Sequence, residues 1–241
     1  MKKTFATFVM AVFILGNAAA RENKIPLIGS EAPSFTAQST SGEITFPESF
    51  GTSWKILFSH PQDFTPVCTS ELLELAYLQS DFEELGVKVA VISIDKVDIH
   101  HMWKAHLEDT EYKGRGKQKI TFPIIEDPKA TVSKQYGMVH EQAGTSRDIR
   151  GVFIIDPGNT IRSVNFYPNE VGRNMEEIKR LVVAMQLSDK EQVYTPANWN
   201  KGDDVLIPQF PYTEEQLSIN PEIKNDYYNV GTHLWFKKSK K

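Results

Sequence analysis

The chain has 241 residues, and its 27 lysines and arginines against 31 aspartates and glutamates give a formal net charge of −4 at pH 7. With 40% hydrophobic and 24% charged residues, it has the composition of an ordinary globular protein. The mild acidity gives no reason to expect nucleic acid or an anionic membrane as a partner. Cys68 is the only cysteine, which excludes a disulfide within the chain.

The first twenty residues have the three parts of a secretory signal peptide. Lys2 and Lys3 supply a positive start, Phe5–Leu15 is an apolar run, and Ala18–Ala20 is a small-residue cleavage site. The apolar run is short for a helix that spans a bilayer. We therefore expect cleavage after Ala20 and export of the mature chain, to the periplasm or the medium, without a stable membrane anchor.

Hydrophobic periodicity predicts alternating strands and helices in the rest of the chain. The expected strands are Glu43–Phe46, Lys55–Ser59, Val87–Ile94, Phe122–Glu126, Gly151–Ile155 and Thr160–Phe166. Helices are expected from Pro66 onward, at Ile99–Leu107, from Asp127 to Gln135 and at Gly172–Leu187. This order is typical of an α/β fold, and the pattern alone specifies nothing finer.

Cys68 lies where the strand Lys55–Ser59 gives way to a helix. Thr65 is a good N-cap, whose hydroxyl is expected to accept from an N–H of the first turn. Pro66 falls at the first helical position, where a missing N–H has no cost, and Cys68 follows as the third helical residue. Its sulfur would lie near unpaired N–H groups and the positive end of the helix dipole, which favours the reactive thiolate.

The residues around Cys68 match a known signature. Pro61-x-x-x-Thr65-x-x-Cys68 resembles the active-site motif of the peroxiredoxins, and the longer string Leu57–Thr69 resembles their one-cysteine (1-Cys) subfamily. The resemblance implies a thioredoxin-like fold and a thiol-dependent peroxidase that needs no cofactor. Cys68 would attack the peroxide and become a sulfenic acid, which an external thiol reductant would reduce. Thr65 would hold the peroxide, Pro61 would shield the thiolate, and His60 matches a histidine beside the cysteine.

Two arginines are further candidates. Arg150 precedes the strand Gly151–Ile155, and the segment from Arg150 to Asp156 resembles the one that supplies the active-site arginine of the family. We favour Arg150 over Arg147 as the cation that binds the peroxide and stabilises developing charge. Arg173 lies in a second segment that resembles the family and is expected behind the residues that touch substrate.

We expect no binding site at a helix that carries three histidines or at a short basic segment. His100, His101 and His106 share the helix Ile99–Leu107 but lack the i, i+4 spacing of a metal pair, so we expect solvated side chains and no metal site. The basic segment Tyr112–Lys119 is expected to be a solvated loop.

The end of the chain changes character. Residues 188–241 resemble the C-terminal extension of 1-Cys peroxiredoxins, which packs against a second subunit, so a homodimer or higher oligomer is expected. The preceding 21–187 would form the thioredoxin-like domain. Several aromatic residues suit an interface, with packing onto the parent domain as the alternative: Trp199, Phe210, Tyr212, Tyr227, Tyr228, Trp235 and Phe236. The lysines that follow, from Lys237 to Lys241, are expected to be disordered.

Other functional interpretations remain open at this point. One is a non-catalytic, thioredoxin-like binding module, and another is a cysteine hydrolase with Cys68 as nucleophile and His60 as base. A lipase-like activity is a further possibility for the segment Gly51–Lys55, because some vertebrate members of the subfamily carry a Gly-x-Ser-x-Gly motif at these positions. In this chain Lys55 replaces the last glycine and Pro47 the histidine, so Ser53 has no base, which disfavours that activity.

Overall fold

The computed structural model describes residues 25–144 and 146–239. Its strands are β1 (Phe35–Ser39), β2 (Gly42–Phe46), β3 (Trp54–Ser59), β4 (Val87–Ser93), β5 (Ile124–Glu126), β6 (Arg150–Ile155), β7 (Ile161–Tyr167), β8 (Val205–Leu206), β9 (Tyr227–Val230) and β10 (Leu234–Lys237). Its α-helices are α1 (Pro66–Glu84), α2 (Val97–Asp109), α3 (Thr131–Gln135), α4 (Met175–Glu191) and α5 (Glu214–Ile219). The predicted signal peptide lies outside the described residues. Within them, no helix is long and apolar enough to cross a bilayer.

Seven strands form one sheet in the order β2-β1-β5-β4-β3-β6-β7. β3 pairs in parallel with β4 and antiparallel with β6, and β4 pairs in parallel with β5. Every residue of β3 and β6 is buried, as expected of strands covered on both faces. This arrangement puts the carboxyl end of β3, which leads to the Cys68 segment, beside the amino end of β6, which carries Arg150.

Alternating side chains of the central strands feed two cores. Ile56 and Phe58 face a cluster completed by α1, α4 and the buried Trp103 of α2. Leu57 faces the opposite cluster, which includes Phe35 and residues near α3. Because successive strand residues point to opposite faces, one continuous apolar strand supplies both cores.

Most predicted elements are present with ends shifted by a few residues, and two differences have clear causes. The sequence indicated no strand at β1, whose five residues alternate only weakly between buried and exposed positions. α3 begins at Thr131 rather than at Asp127, because Asp127 lies before the helix and its carboxylate accepts from the backbone N–H groups of Thr131 and Ser133, both within 2.8 Å.

The C-terminal extension contains regular structure beyond α4. β8, β10 and β9 form a second sheet, and Phe210 stacks on Trp235 with ring centroids 4.1 Å apart. Trp199 is buried in its own chain against the end of α4 and β8, so the alternative of packing onto the parent domain holds for this residue. The predicted disorder is wrong for Lys237, which belongs to β10 and pairs with Glu191 at 2.7 Å.

Candidate active site

The Cys68 segment folds largely as its residue types dictate. α1 begins with Thr65 at the N-cap position and Pro66 at the first helical position, so Cys68 is the third helical residue. The predicted side-chain cap is wrong: the Thr65 hydroxyl donates to the carbonyl of Gln62 at 2.9 Å and makes no capping bond. The side chain of Thr65 is partly exposed, whereas Cys68 is fully buried.

Arg150 reaches the sulfur of Cys68. Its Nη1 lies 3.3 Å from Sγ and also donates to Oε2 of Glu71 at 2.8 Å. Its Nε and Nη2 both donate to the backbone carbonyl of Asn169, at 3.0 and 2.7 Å. The guanidinium is therefore fixed from two sides with one nitrogen 3.3 Å from the thiol sulfur, whereas Arg147, the other candidate, is exposed.

Glu71 joins the two predicted arginines. Its carboxylate accepts from the backbone N–H, Nε and Nη2 of Arg173 at 2.7–2.9 Å, in addition to its bond from Arg150. Burial raises the pKa of Glu71, but the charge and hydrogen bonds of Arg173, together with the charge of Arg150, outweigh burial and hold this pKa below its ordinary value. Glu71 is thus an ionised carboxylate with 2% of its surface exposed.

The buried charged groups beside Cys68 carry a net positive charge. Arg150 and Arg173 contribute two positive charges, and Glu71 contributes one negative charge. All three side chains are buried, so the unbalanced positive charge is costly unless an anion lies beside it. Sγ of Cys68, 3.3 Å from Nη1 of Arg150, is the position at which an anion would offset this charge. The arrangement can therefore hold a nucleophilic sulfur and later an oxidised, negatively charged sulfur.

Glu71 was not predicted as a site residue. The signal was its position three residues after Cys68, which puts both side chains on the same face of α1. Arg173 contacts Glu71 rather than Cys68. Its Nη1 donates to the carbonyls of Ser59 and Gly151, at 2.9 and 2.8 Å, and so ties the loop that precedes α4 to β3 and β6.

His60 belongs to a second buried network. Its Nε2 lies 2.8 Å from Oδ1 of Asp63, whose Oδ2 lies 2.7 Å from Nδ1 of His100. The predicted solvated position of His100 is wrong: this side chain is fully buried, whereas His101 and His106 on the same helix are exposed as expected. Burial lowers the pKa of His60 and outweighs the opposing effect of Asp63, so this imidazole is held neutral.

Family comparisons agree with this geometry. Residues 28–164 match the model of the AhpC/TSA family, and residues 184–217 match the C-terminal domain of 1-Cys peroxiredoxin. The chain is a peroxiredoxin of the AhpC/TSA family. A peroxiredoxin of Methanosarcina mazei is 51% identical over 185 residues, covering 76% of this chain and 84% of the relative. The mitochondrial peroxiredoxin PRX1 of Saccharomyces cerevisiae is 36% identical and covers 99% of this chain and 90% of the relative.

Solved structures give the same family. A yeast mitochondrial 1-Cys peroxiredoxin, described with its thiol-resolving mechanism via glutathione and thioredoxin systems, has a TM-score of 0.77 and 37% identity, covering 89% of this peroxiredoxin and 100% of that chain. A cysteine-to-serine mutant of peroxiredoxin 6 of Arenicola marina also has a TM-score of 0.77, at 32% identity, and the match covers 89% of this chain and 99% of that one.

The thioredoxin-like fold with a C-terminal extension is therefore confirmed. So is the activity class: this peroxiredoxin is a thiol-dependent peroxidase with an antioxidant function, and its single cysteine fits the 1-Cys mechanism. The family acts on peroxides with thiol reductants. The binding-module and cysteine-hydrolase interpretations are set aside.

Proposed function

We propose that the Cys68 thiolate attacks the terminal oxygen of a bound peroxide, with Arg150 and Thr65 as the residues that orient the substrate. The supporting observation is the 3.3 Å contact between Nη1 of Arg150 and Sγ of Cys68. A peroxide oxygen that approaches Sγ meets the same guanidinium, which stabilises charge as the O–O bond breaks. The Thr65 hydroxyl donates to Gln62 and so keeps its lone pairs free to accept from the peroxide O–H while the substrate binds, before that proton passes to His60.

Pro61 and His60 are the remaining residues of the proposed site. Pro61 is buried, and its proposed role is to shield the thiolate of Cys68 from water. The Nδ1 atom of His60 is buried and has no hydrogen-bond partner among the described residues, so its lone pair can accept a proton. His60 would carry the proton of the terminal oxygen to the leaving oxygen.

This assignment balances the reaction without an outside proton. Sγ forms a bond to the terminal oxygen, the O–O bond breaks, and the leaving oxygen takes the proton that the terminal oxygen gave to His60. A thiolate and a hydroperoxide thus give a sulfenate and an alcohol, or water when the substrate is hydrogen peroxide. The net charge stays the same throughout, which suits a buried site in which an added charge is costly.

The sulfenate of Cys68 must then be reduced by a thiol from outside the chain, because no second cysteine exists to resolve it. The yeast relative described with glutathione and thioredoxin systems supports reductants of those two kinds for this protein.

A homodimer formed through the C-terminal extension is the proposed assembly, with residues 21–187 and 188–241 as the two parts of the mature chain. It is supported by the 1-Cys C-terminal family match over residues 184–217 and by exposed apolar side chains on the extension, such as Ile219 and Val230. Export, with removal of Met1–Ala20, is proposed from the sequence pattern alone.

Peroxide consumption by the mature chain tests the proposed function. Dithiothreitol would serve as the reductant, and hydrogen peroxide and cumene hydroperoxide as substrates. We expect both to be consumed by the unaltered chain and neither by Cys68→Ser. Equal consumption by the two chains would show that Cys68 is not the reacting group.

A further inference from the structure

Three buried polar side chains form a continuous hydrogen-bonded row behind the active-site loop. Asp63 lies between His60, which follows β3, and His100, which belongs to α2. The row ends at the backbone carbonyl of Ile125 in β5, which lies 3.1 Å from Nε2 of His100. His60 and His100 are fully buried, and Asp63 is 4% exposed. A buried polar network of this kind is stabilising only when all its donors and acceptors are paired.

The proton positions on His100 follow from its two partners. The carbonyl of Ile125 can only accept, so Nε2 of His100 carries a hydrogen. Nδ1 faces a carboxylate oxygen at 2.7 Å, a distance that also requires a hydrogen between the two atoms. Burial raises the pKa of Asp63, but the hydrogen bonds from His100 and His60 outweigh burial and hold it below its ordinary value. The short hydrogen bond therefore runs from Nδ1 of His100 to an oxygen of an ionised Asp63.

The tautomer of His60 is fixed in turn. An ionised Asp63 accepts from Nε2 of His60 at 2.8 Å, so that nitrogen carries the only hydrogen of the neutral ring. Nδ1 is left with a lone pair and has no partner among the described residues. Without Asp63, either nitrogen of the ring could hold the hydrogen.

We propose that Asp63 and His100 are positioning residues for peroxide reduction: they hold His60 in the Nε2–H tautomer so that its Nδ1 accepts the peroxide proton. This inference rests on the proposed role of His60. His100 acts through Asp63, because it donates to Oδ2 of the carboxylate and orients it, whereas Nε2 of His60 faces the other oxygen, Oδ1. The backbone N–H of Asp63 donates to Oδ2 of Asp95 at 2.8 Å, which anchors the loop that carries the carboxylate.

A metal ion is a weaker interpretation of the same residues. Ligand atoms of His60, Asp63 and Asp95 lie within 4.8 Å of one another. Both carboxylate oxygens of Asp63, however, are already within 2.8 Å of histidine nitrogens that carry hydrogens. A cation would have to displace these protons, so the hydrogen bonds favour a proton network.

The first test locates the ring hydrogens of His60 and His100 by NMR in the unaltered, reduced chain. Long-range ¹H–¹⁵N NMR correlations distinguish protonated from unprotonated ring nitrogens. We expect His60 to be protonated at Nε2 only and His100 to be protonated at both nitrogens. A hydrogen on Nδ1 of His60, or an unprotonated nitrogen in His100, would overturn the proposal. This readout does not depend on activity, so it stands even if the proposed peroxide chemistry fails.

The second test separates positioning from simple burial. In His100→Asn the side-chain amide lies where Nδ1 was and can still donate to Asp63, whereas in His100→Gln it lies where Nε2 was and reaches only the Ile125 carbonyl. We expect sulfenate formation to slow about tenfold or more in His100→Gln and to stay within about threefold in His100→Asn, because proton transfer contributes ~10²–10⁴-fold to rates. The exposed His101→Gln is the matched control and should leave the rate unchanged.

Three results would overturn the positioning role: equal slowing in both His100 variants, greater slowing in His100→Asn, or no change in either. Unaltered chain that forms no sulfenate would instead contradict the proposed function, whatever the NMR tautomers show.

Discussion

The substitution Arg150→Lys tests the contact that organises the active site. Arginine uses Nη1 to reach the sulfur of Cys68 at 3.3 Å and Glu71 at 2.8 Å, and it uses Nε and Nη2 to reach the carbonyl of Asn169 at 3.0 and 2.7 Å. Lysine keeps the positive charge but concentrates it on one nitrogen, which cannot reproduce this fork. The substitution therefore removes the forked hydrogen-bond geometry of the guanidinium and retains its positive charge.

The size of the effect follows from the lost donor. Removing one preorganised donor at the reacting atoms costs about 2.7–4 kcal/mol of transition-state stabilisation, which corresponds to a ~10²–10³-fold loss in rate. Because the charge of Arg150 is retained, we expect the lower end, on the order of a hundredfold. The carbonyl of Asn169 also loses its donors, which should lower the free energy of unfolding by about 1–3 kcal/mol.

Stopped-flow fluorescence would measure the rate of sulfenate formation. Trp103 is fully buried with its ring centroid 5.0 Å from that of His60, so it lies close enough to report oxidation at the site. Arg147→Lys is the matched control on the preceding loop and should leave the rate unchanged. An unchanged rate in Arg150→Lys, or a larger effect in Arg147→Lys, would refute the assigned role of Arg150.

Three further predictions concern buried groups. Cys68→Ser should abolish peroxide turnover and leave the circular dichroism spectrum unchanged; residual turnover would contradict the mechanism. Glu71→Gln should lower the free energy of unfolding at pH 7 by about 3–5 kcal/mol, because it leaves two buried guanidiniums without their carboxylate. Since the pKa of Glu71 is held below its ordinary value, its contribution is present above about pH 4.5 and is lost as the pH falls further, so urea titrations should show the difference between the two chains shrinking in acid. Burial raises the pKa of Asp148 to about 8, and neither of its oxygens has a partner among the described residues. Folding favours the protonated form of Asp148, so the free energy of unfolding falls as the pH rises from about 4 to about 8. Asparagine carries no charge at any of these pH values. Asp148→Asn should therefore raise the free energy of unfolding at pH 7 by up to about 4 kcal/mol. A gain that does not vary with pH would show that this carboxyl does not titrate as described.

The sequence predicted the parts of the site that depend on local rules. Pro66 at the first turn and Thr65 before it place the start of α1, and hence Cys68, within one residue. The continuous apolar runs of β3 and β6 predicted buried strands. These features need only the residues next to them in the chain. The choice of Arg150 came instead from the resemblance of its segment to the family, since its contact with Cys68 spans 82 residues.

The features that were missed depend on partners that are distant in the sequence. Glu71 is an ordinary polar residue of a helix until two arginines, 79 and 102 residues away, are seen to surround it. His100 resembles His101 and His106 until Asp63, 37 residues away, is placed beside it. Periodicity predicts which face of a helix is apolar, but it cannot identify a buried charge whose cost is offset by long-range pairing.

Trapping the oxidised cysteine tests the central claim most directly. Reduced mature protein would be mixed with one equivalent of hydrogen peroxide, and a sulfenic-acid probe would be located on the chain by mass spectrometry as a function of time. We expect the adduct at Cys68, formed far faster than on free cysteine under the same conditions. Oxidation no faster than that of free cysteine would show that Arg150, Glu71 and Arg173 do not activate the thiol, and would contradict the mechanism.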